Sequence, residues 1–411
     1  MLRCGLLGET LGHSYSPAIH AQLGDYAYRL YECPREKLGA FLKTGDFDGL
    51  NVTIPYKRDV MPLCDEIDPA AADIGSVNTL VRGADGKLRG YNTDIDGFCY
   101  MARRAGISFS GKKIVVLGSG GASLTAQAAA RREGAREITV ISRSGPDNYG
   151  NLDRHADAEI VVNTTPVGMY PGVQAAPVDL VRLPGLRGVA DVIYNPARTA
   201  LLQDADALGI PRAGGLSMLV AQAARSVERF SGRALGEEVW RGALRQVAAS
   251  LRGVALVGMP GCGKSTIAQA VAQELGRACV DLDAEIEREA GKSIPEIFAQ
   301  DGEEAFRAAE TRAARQFSRE NAVLATGGGC VLRAENAQAL RANSLVVWLK
   351  RAIDQLPREG RPLSVGNLYE MEQKRAPYYL AASDVQIENQ GSVEEVAAAV
   401  VAALREGAVH L

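Results

Sequence analysis

Residues 254–276 read VALVGMPGCGKSTIAQAVAQELG, and this stretch decides the fold of the chain around it. The apolar run VALV predicts a buried strand, the glycines end it, and the apolar spacing from Ile267 onward predicts a helix. Between them, Gly258-Met259-Pro260-Gly261-Cys262-Gly263-Lys264-Ser265 fills every position of GxxxxGK[ST] in the strand–loop–helix setting that the motif needs. Glycines let backbone N–H groups turn toward phosphate oxygens, and the helix N-terminus adds positive potential. Lys264 is expected to reach the β and γ phosphates and Ser265 to ligate Mg²⁺. Gly261, Cys262, Gly263 and Thr266 complete a cradle for ATP. A glycine turn without a ligand is the plain alternative. Further strands at NAVLATGGG and SLVVWLK extend an α/β unit with a parallel sheet.

Upstream, a second α/β pattern runs KKIVVLG, SGGAS, LTAQAAARREGA, REITVIS and later GVADVIY, which is Rossmann-like. Gly118, Gly120, Gly121 and Ala122 open its helix and would set a pyrophosphate against the helix N-terminus, although Ser123 replaces the third glycine of GxGxxG. A plain βα turn would look similar. Arg143 stands where NAD enzymes keep an acidic residue for the ribose 2′-hydroxyl, and a cation there favours NADP(H). Residues 1–100 mix short apolar runs (CGLLG, GLNVTIP, SVNTLV) with helix-like SPAIHAQLG, where Ser16 is expected to cap a helix with Pro17 at its first position. The expected organisation is an α/β domain over 1–100 completed by helices at about 216–250, a Rossmann-like domain over 101–231, and the P-loop domain over 252–411, with the boundary near 250.

At 411 residues, two or more cores are expected, and 46% apolar with 23% charged residues is the balance of a globular protein. A net charge of -3 leaves no global field, and no basic patch with interleaved aromatics occurs, so nucleic acid is not an expected partner. The start MLRCGLLGE lacks the apolar run of a signal peptide, and no stretch of about twenty apolar residues follows, so a cytoplasmic chain without a membrane partner is expected. The seven cysteines are scattered, with no CxxC pair and no metal-ligand spacing among them or the four histidines. They read as reduced thiols. Nothing in the sequence sets an oligomeric state.

A P-loop leaves the phosphoryl acceptor open, and the segments after it narrow the choice. Over residues 252–411 the chain carries GMPGCGKST, then DLD at 281–283, the FR of AFRAAE, TGGG, GRPL and KRAPYY, and in this combination it resembles shikimate kinase. That resemblance implies that Asp283 orients and deprotonates the acceptor hydroxyl and that Asp281 holds the Mg²⁺ shell through water. It implies that Arg307 and Arg375 clamp the substrate carboxylate while Gly328 and Gly329 let the ring approach. Arg358 would lie beside the adenine, and Arg361, in a lid, would reach the transferring phosphoryl group. Alternation along a strand is expected to put Asp281 and Asp283 on one face. The segment PREGRPLS is shorter than the family's usual lid, which bears on closure. Taken singly, each charged residue reads as a solvated surface position.

The first half carries GHSYSP, NVTIPYK, SVNTL, YNTDIDG, NTTPVGM, DVIYNP and MLVAQA, and through about residue 230 it resembles shikimate dehydrogenase. The resemblance implies that Ser14 and Ser16 bind the substrate carboxylate and that Thr53, Asn78 and Gln222 bind ring hydroxyls. Lys57 and Asp94 would be the catalytic pair, with Tyr194 and Met218 flanking the ring and nicotinamide. The bland readings are a helix cap at Ser14 and Ser16, a turn at Asn92-Thr93-Asp94 and an exposed Lys57. Thr10 replaces the proline usual before the HSxSP box, and Asp147 falls where relatives often place a second basic residue. Together the resemblances imply reduction of 3-dehydroshikimate to shikimate, then phosphorylation of shikimate. Two alternatives stay open: a second half that only senses ATP, and a first half that also uses quinate.

Overall fold

The computed structural model describes residues 1–12, 14–356 and 368–407. Arg358 and Arg361, together with the segment PREGRPLS, lie outside the described residues. The class is α/β throughout, because short β-branched runs bounded by glycine and loop residues form strands, and amphipathic segments between them form helices that cover the sheets.

The first lobe holds β1 (Arg3–Gly8), β2 (Ala27–Glu32), β3 (Gly49–Val52), β4 (Glu66–Ile67), β5 (Thr79–Arg82) and β6 (Leu88–Tyr91), in the order β2-β1-β3-β5-β6-β4. β1 pairs parallel with both neighbours, whereas β3, β5 and β6 run antiparallel to one another in succession. The second sheet is parallel throughout, with β7 (Lys113–Leu117), β8 (Glu137–Ile141), β9 (Ile160–Asn163), β10 (Gly188–Asp191) and β11 (Arg212–Gly214) in the order β11-β10-β9-β7-β8. Both of its faces are covered: Ile114, Val116 and Ile160 face one apolar cluster, and Val115, Leu117 and Val161 the other. Near-continuous apolar strands are what two-sided burial demands.

The third sheet starts at Gly253 and is also all parallel. β12 (Gly253–Val257), β13 (Cys279–Asp281), β14 (Val323–Ala325), β15 (Ser344–Lys350) and β16 (Val385–Glu388) take the order β13-β14-β12-β15-β16. Val254 to Val257 are wholly buried in its core. Truncating Leu256 to alanine there costs about 2–5 kcal/mol.

Helices tie the first two sheets together. The helix Gly215–Ser231 packs along Asp94–Arg104, and with Glu237–Leu251 it buries Leu216, Val220 and Val247 against Ile19 and Leu23 of the helix Ser16–Leu23. Gly97 makes the close crossing possible, since a Cβ there would sit 2.6 Å from the Met218 carbonyl.

Two local expectations are corrected. The helix expected to be capped by Ser16 begins at Ser16, with Tyr15 in the capping position in helical conformation and Pro17 in the second place. No side chain caps the helix from Tyr15; Ser14 Oγ accepts the Ser16 N–H at 3.2 Å in a local turn just before it. The DLD segment is not a strand pair on one face: β13 ends at Asp281, which caps the helix Leu282–Ala290 by accepting the N–H groups of Asp283 and Ala284. The gain from satisfying free helix N–H groups outweighs extension of the strand.

Candidate active sites

In the first half, Lys57 and Asp94 meet although they come from different elements. Lys57 follows the loop after β3, Asp94 opens the helix Asp94–Arg104, and Lys57 Nζ stands 2.6 Å from Asp94 Oδ2. Both side chains are largely covered yet reachable, at 31% and 13% exposure. The Lys57 carbonyl accepts the Val77 N–H, which brings Asn78 alongside. Asn78 Oδ1 accepts the Thr93 N–H at 2.8 Å, and its Nδ2 donates to Thr93 Oγ1 at 3.1 Å. Thr93 reaches Ser226 Oγ at 3.1 Å and Gln222 Oε1 at 3.5 Å on the helix Gly215–Ser231. Asn78, Thr93 and Gln222 therefore share one polar network, and chain adjacency sets the Lys57–Asp94 pair beside it.

Beneath them lies a layer that motif reading missed: Asn51, Thr79 and Ser226, all buried, with Asn51 Nδ2 donating to Ser226 Oγ at 2.7 Å. No local signal could have found Ser226, which lies 133 residues from Thr93 and 147 from Thr79. Ser14 and Ser16 stand at the start of Ser16–Leu23, and Tyr15 between them meets the Tyr194 ring edge-on at 5.4 Å. Thr53, half-buried just past β3, donates its N–H to Leu7. Met218 lies one turn before Gln222 on the same helix.

The glycine turn after β7 opens onto free space at two of its glycines. Gly118 takes φ +100°, and a Cβ there would press on Thr164 and Thr165. Gly120 caps the helix Gly121–Arg132, and a Cβ at Gly120 or Gly121 would meet nothing within 4 Å. Ala122 is exposed beside them, whereas Ser123, in the third glycine's place, is buried and accepts a bond from Gln127. Arg143 is exposed past the end of β8, and its charge opposes the burial that raises the Tyr149 hydroxyl. Asp147 Oδ1 stands 2.9 Å from His155 Nε2.

In the P-loop half, a cavity of about 600 Å³ is lined by Gly261, Gly263, Lys264, Ser265, Thr266, Asp281, Asp283, Arg307, Gly327, Gly328, Gly329 and Arg375, among others. Gly258, Gly261 and Gly263 adopt φ of +145°, +84° and +96°, conformations that L side chains resist. Cys262 is buried in the loop, and Lys264 Nζ donates to the carbonyls of Gly258 and Met259 at 3.0 and 2.9 Å. Ser265 Oγ donates to Asp281 Oδ2 at 2.6 Å, so the two oxygens expected around a divalent cation are adjacent.

Asp283 projects into this cavity with its Oδ1 buried and no hydrogen-bond partner among the described residues. Burial holds its carboxyl above the usual range and Asp281 adds to this, against Lys264 and Arg307. Arg307 is oriented by Glu310 at 2.9 Å and Glu303 at 3.3 Å, and Arg375 Nη1 donates to the Gly328 carbonyl at 3.1 Å. At Gly327 and Gly329 a Cβ would come within 2.8 Å of the Asp283 carboxylate and the Arg307 guanidinium respectively, so the bare backbone leaves both groups room. Glu310, 1% exposed and raised by burial, was not among the sequence candidates. Its spacing of three from Arg307 on the helix Glu303–Phe317 is the signal that finds it.

Fold and site together define a protein with a Rossmann-type dinucleotide half joined to a P-loop nucleotide half. The family model described as shikimate dehydrogenase substrate binding domain matches residues 6–80, and that described as shikimate kinase matches 260–405. The NADP(+) shikimate dehydrogenase of Halothermothrix orenii is 36% identical over 265 residues, covering 56% of this chain and 90% of its own. That of Methanopyrus kandleri is 38% identical over 280 residues, covering 58% and 93%. A Clostridium acetobutylicum chorismate mutase/shikimate 5-dehydrogenase fusion superposes with TM-score 0.56 at 36% identity, over 59% of this chain and 95% of that one. The Thermus thermophilus shikimate 5-dehydrogenase, solved with NADP(H) and shikimate, gives TM-score 0.54 at 31% identity over 60% and 100%. The chain belongs to the shikimate dehydrogenase family and carries a shikimate kinase domain after it.

Proposed function

We propose that the chain reduces the ring ketone of 3-dehydroshikimate with NADPH in its first half and phosphorylates the hydroxyl so formed with ATP in its second, giving shikimate 3-phosphate. The setting is aromatic amino acid biosynthesis in the cytoplasm, where the unpaired cysteines stay thiols. The observation that carries this reading is that each half joins a proton-handling group to donors suited to one carboxylated, polyhydroxylated ring: Lys57 on Asp94 above Asn78 and Gln222, and Asp283 beside Arg307 and Arg375.

Reduction delivers hydride to the ring carbon and leaves its oxygen needing a proton. Lys57 supplies that proton, and Asp94, at 2.6 Å, orients the ammonium group. Ser14 and Ser16 hold the carboxylate, and Thr53, Asn78 and Gln222 hold ring hydroxyls. Tyr194 and Met218 flank ring and nicotinamide. Gly118, Gly120, Gly121 and Ala122 cradle the pyrophosphate and Arg143 the 2′-phosphate.

In the second half, Asp283 orients the acceptor hydroxyl and takes its proton as the phosphoryl group arrives. Arg307, set by Glu310, and Arg375 grip the carboxylate with planar donor forks. Lys264 leaves the loop carbonyls for the phosphates, and Thr266 lies beside them. Ser265 and Asp281 present only hard oxygen donors, which fits Mg²⁺, with Asp281 acting through water. Bound there, Mg²⁺ would neutralise charge on the β and γ phosphates.

Crossed variants test the reading. Asp283→Asn should abolish ATP-dependent phosphorylation of shikimate and leave NADP⁺-dependent shikimate oxidation intact. Undiminished phosphorylation in that variant, or a higher kcat/KM for quinate than for shikimate, contradicts it.

A further inference from the structure

Two loops leave the carboxyl edge of the second sheet, where open α/β sheets bind ligands, and end on the P-loop half. Beyond β9, the Tyr170 hydroxyl donates to the Ser318 carbonyl at 3.4 Å, and Arg319 lies over the Tyr170 ring at 5.6 Å. Beyond β10, the segment 192–199 first places Tyr194 against Tyr15 and then, four residues on, Arg198.

Arg198 is 3% exposed, and the side-chain bonds of its guanidinium all go to the other half. Nε donates to the Arg341 carbonyl at 2.7 Å, and Nη2 to the Ser344 carbonyl at 2.9 Å and Asp384 Oδ2 at 3.0 Å. Nη1 donates to Asp384 Oδ1. The Arg198 N–H donates to the Ala342 carbonyl, and the Ala197 N–H to Asn343. One residue further, Thr199 Oγ1 donates to Asp191 Oδ2 at 2.7 Å, tying the segment back to β10.

Asp384 is itself fixed. It accepts the Val346 N–H at 2.9 Å and stands 3.5 Å from Arg252, just before β16 and just after the helix Leu368–Ala382 that carries Arg375. Segment 192–199 thus leaves β10 at its start, and its last three residues are tied both back to Asp191 and across to the P-loop half. Asp384 lies in the part matched as a shikimate kinase domain, whereas the dehydrogenase relatives are covered over 90% or more of their length by only 56–58% of this chain.

We propose that Arg198 is a positioning residue for the dehydrogenase site and that the P-loop half acts as its brace. Through Asp384 it holds segment 192–199, and with it Tyr194, at its setting against Tyr15. The inference rests on the reading of Tyr194 as a substrate-flanking residue.

Steady-state kinetics of the full chain decide. Arg198→Met keeps the bulk of the side chain and leaves Asp384 with Arg252. It should raise the dehydrogenase KM for shikimate about three- to tenfold, as loss of coupling through a packed network does, with kcat and the kinase constants within about twofold. A purely structural seam would lower thermal stability and leave that KM unchanged below the melting range, which overturns the proposal. Tyr194→Ala is measured in parallel: an unchanged KM there withdraws the reading of Tyr194, and the brace with it. Should Arg198→Met be too unstable to assay, Arg198→Lys keeps the charge but not the fork. It should show a smaller KM rise and faster amide exchange over 192–199; wild-type exchange there overturns the proposal.

Discussion

The Asp283 carboxyl sits above its ordinary range because it is buried and because Asp281 lies beside it. A base works only when ionised, so kcat/KM for phosphoryl transfer should fall as pH drops through an apparent pKa higher than that of a free aspartate. An acid limb in the pH–rate profile no higher than a free aspartate's counts against the assignment. Lys57→Ala should lower dehydrogenase kcat about a hundredfold or more with little change in KM, and spare the kinase. Arg143→Ala should narrow the preference for NADPH over NADH about tenfold, the worth of a bond to a charged group, and equal ratios in variant and parent would remove Arg143 from the site. Most of these residues were legible because each sits in a short box whose chemistry is local. Glu310 ends the AFRAAE segment and is legible only through its spacing of three from Arg307, because a carboxylate taken alone reads as surface. Asn51, Thr79 and Ser226 carry no such box, and only the tertiary fold makes them neighbours.

Helix contacts and strand ends set how well those residues are held. A Cβ at Gly97 would strike the backbone of the partner helix beside Met218 and Gln222, and backbone does not yield as a side-chain tip does. Gly97→Ala should therefore cost about 1–3 kcal/mol in denaturant unfolding and raise the dehydrogenase KM while leaving phosphorylation alone. An unchanged midpoint would mean that the two helices are not in register as described. At the end of β10, burial pushes the Asp191 carboxyl from 3.8 up to about 6, with Thr199, Ile193 and Asn163 opposing. Between these values the folded chain holds a proton that the unfolded chain has lost, so this group's contribution to stability falls as pH rises through that window. Asp191→Asn lacks that proton, so its stability relative to the parent should climb between about pH 4 and pH 6; a flat difference would contradict the burial argument. Elements were legible where period and glycine punctuation agree, as in 254–276. Reading failed at Asp281-Leu282-Asp283, where a capping bond to Asp281 and not periodicity chooses the first helical residue, and at Ser16, which is inside its helix with Tyr15 in the capping place.

At the scale of the whole molecule, a Rossmann-type half and a P-loop half share one chain, and the P-loop stretch made the second legible from a single segment. The seam between them was not legible. Arg198 and Asp384 are 186 residues apart, and nothing local distinguishes a buried ion pair from two surface charges until both are seen at low exposure. On the proposed order of reactions, joining the halves would raise the local concentration of the intermediate near the second site. The central claim is that one molecule performs reduction and phosphorylation on the same oxygen. It is tested most directly by incubating the purified chain with 3-dehydroshikimate, NADPH, ATP and Mg²⁺ and determining the product by mass. The account predicts shikimate 3-phosphate with NADPH and ATP consumed in equal amounts; shikimate accumulating unphosphorylated, or 3-dehydroshikimate returned unchanged, would contradict it.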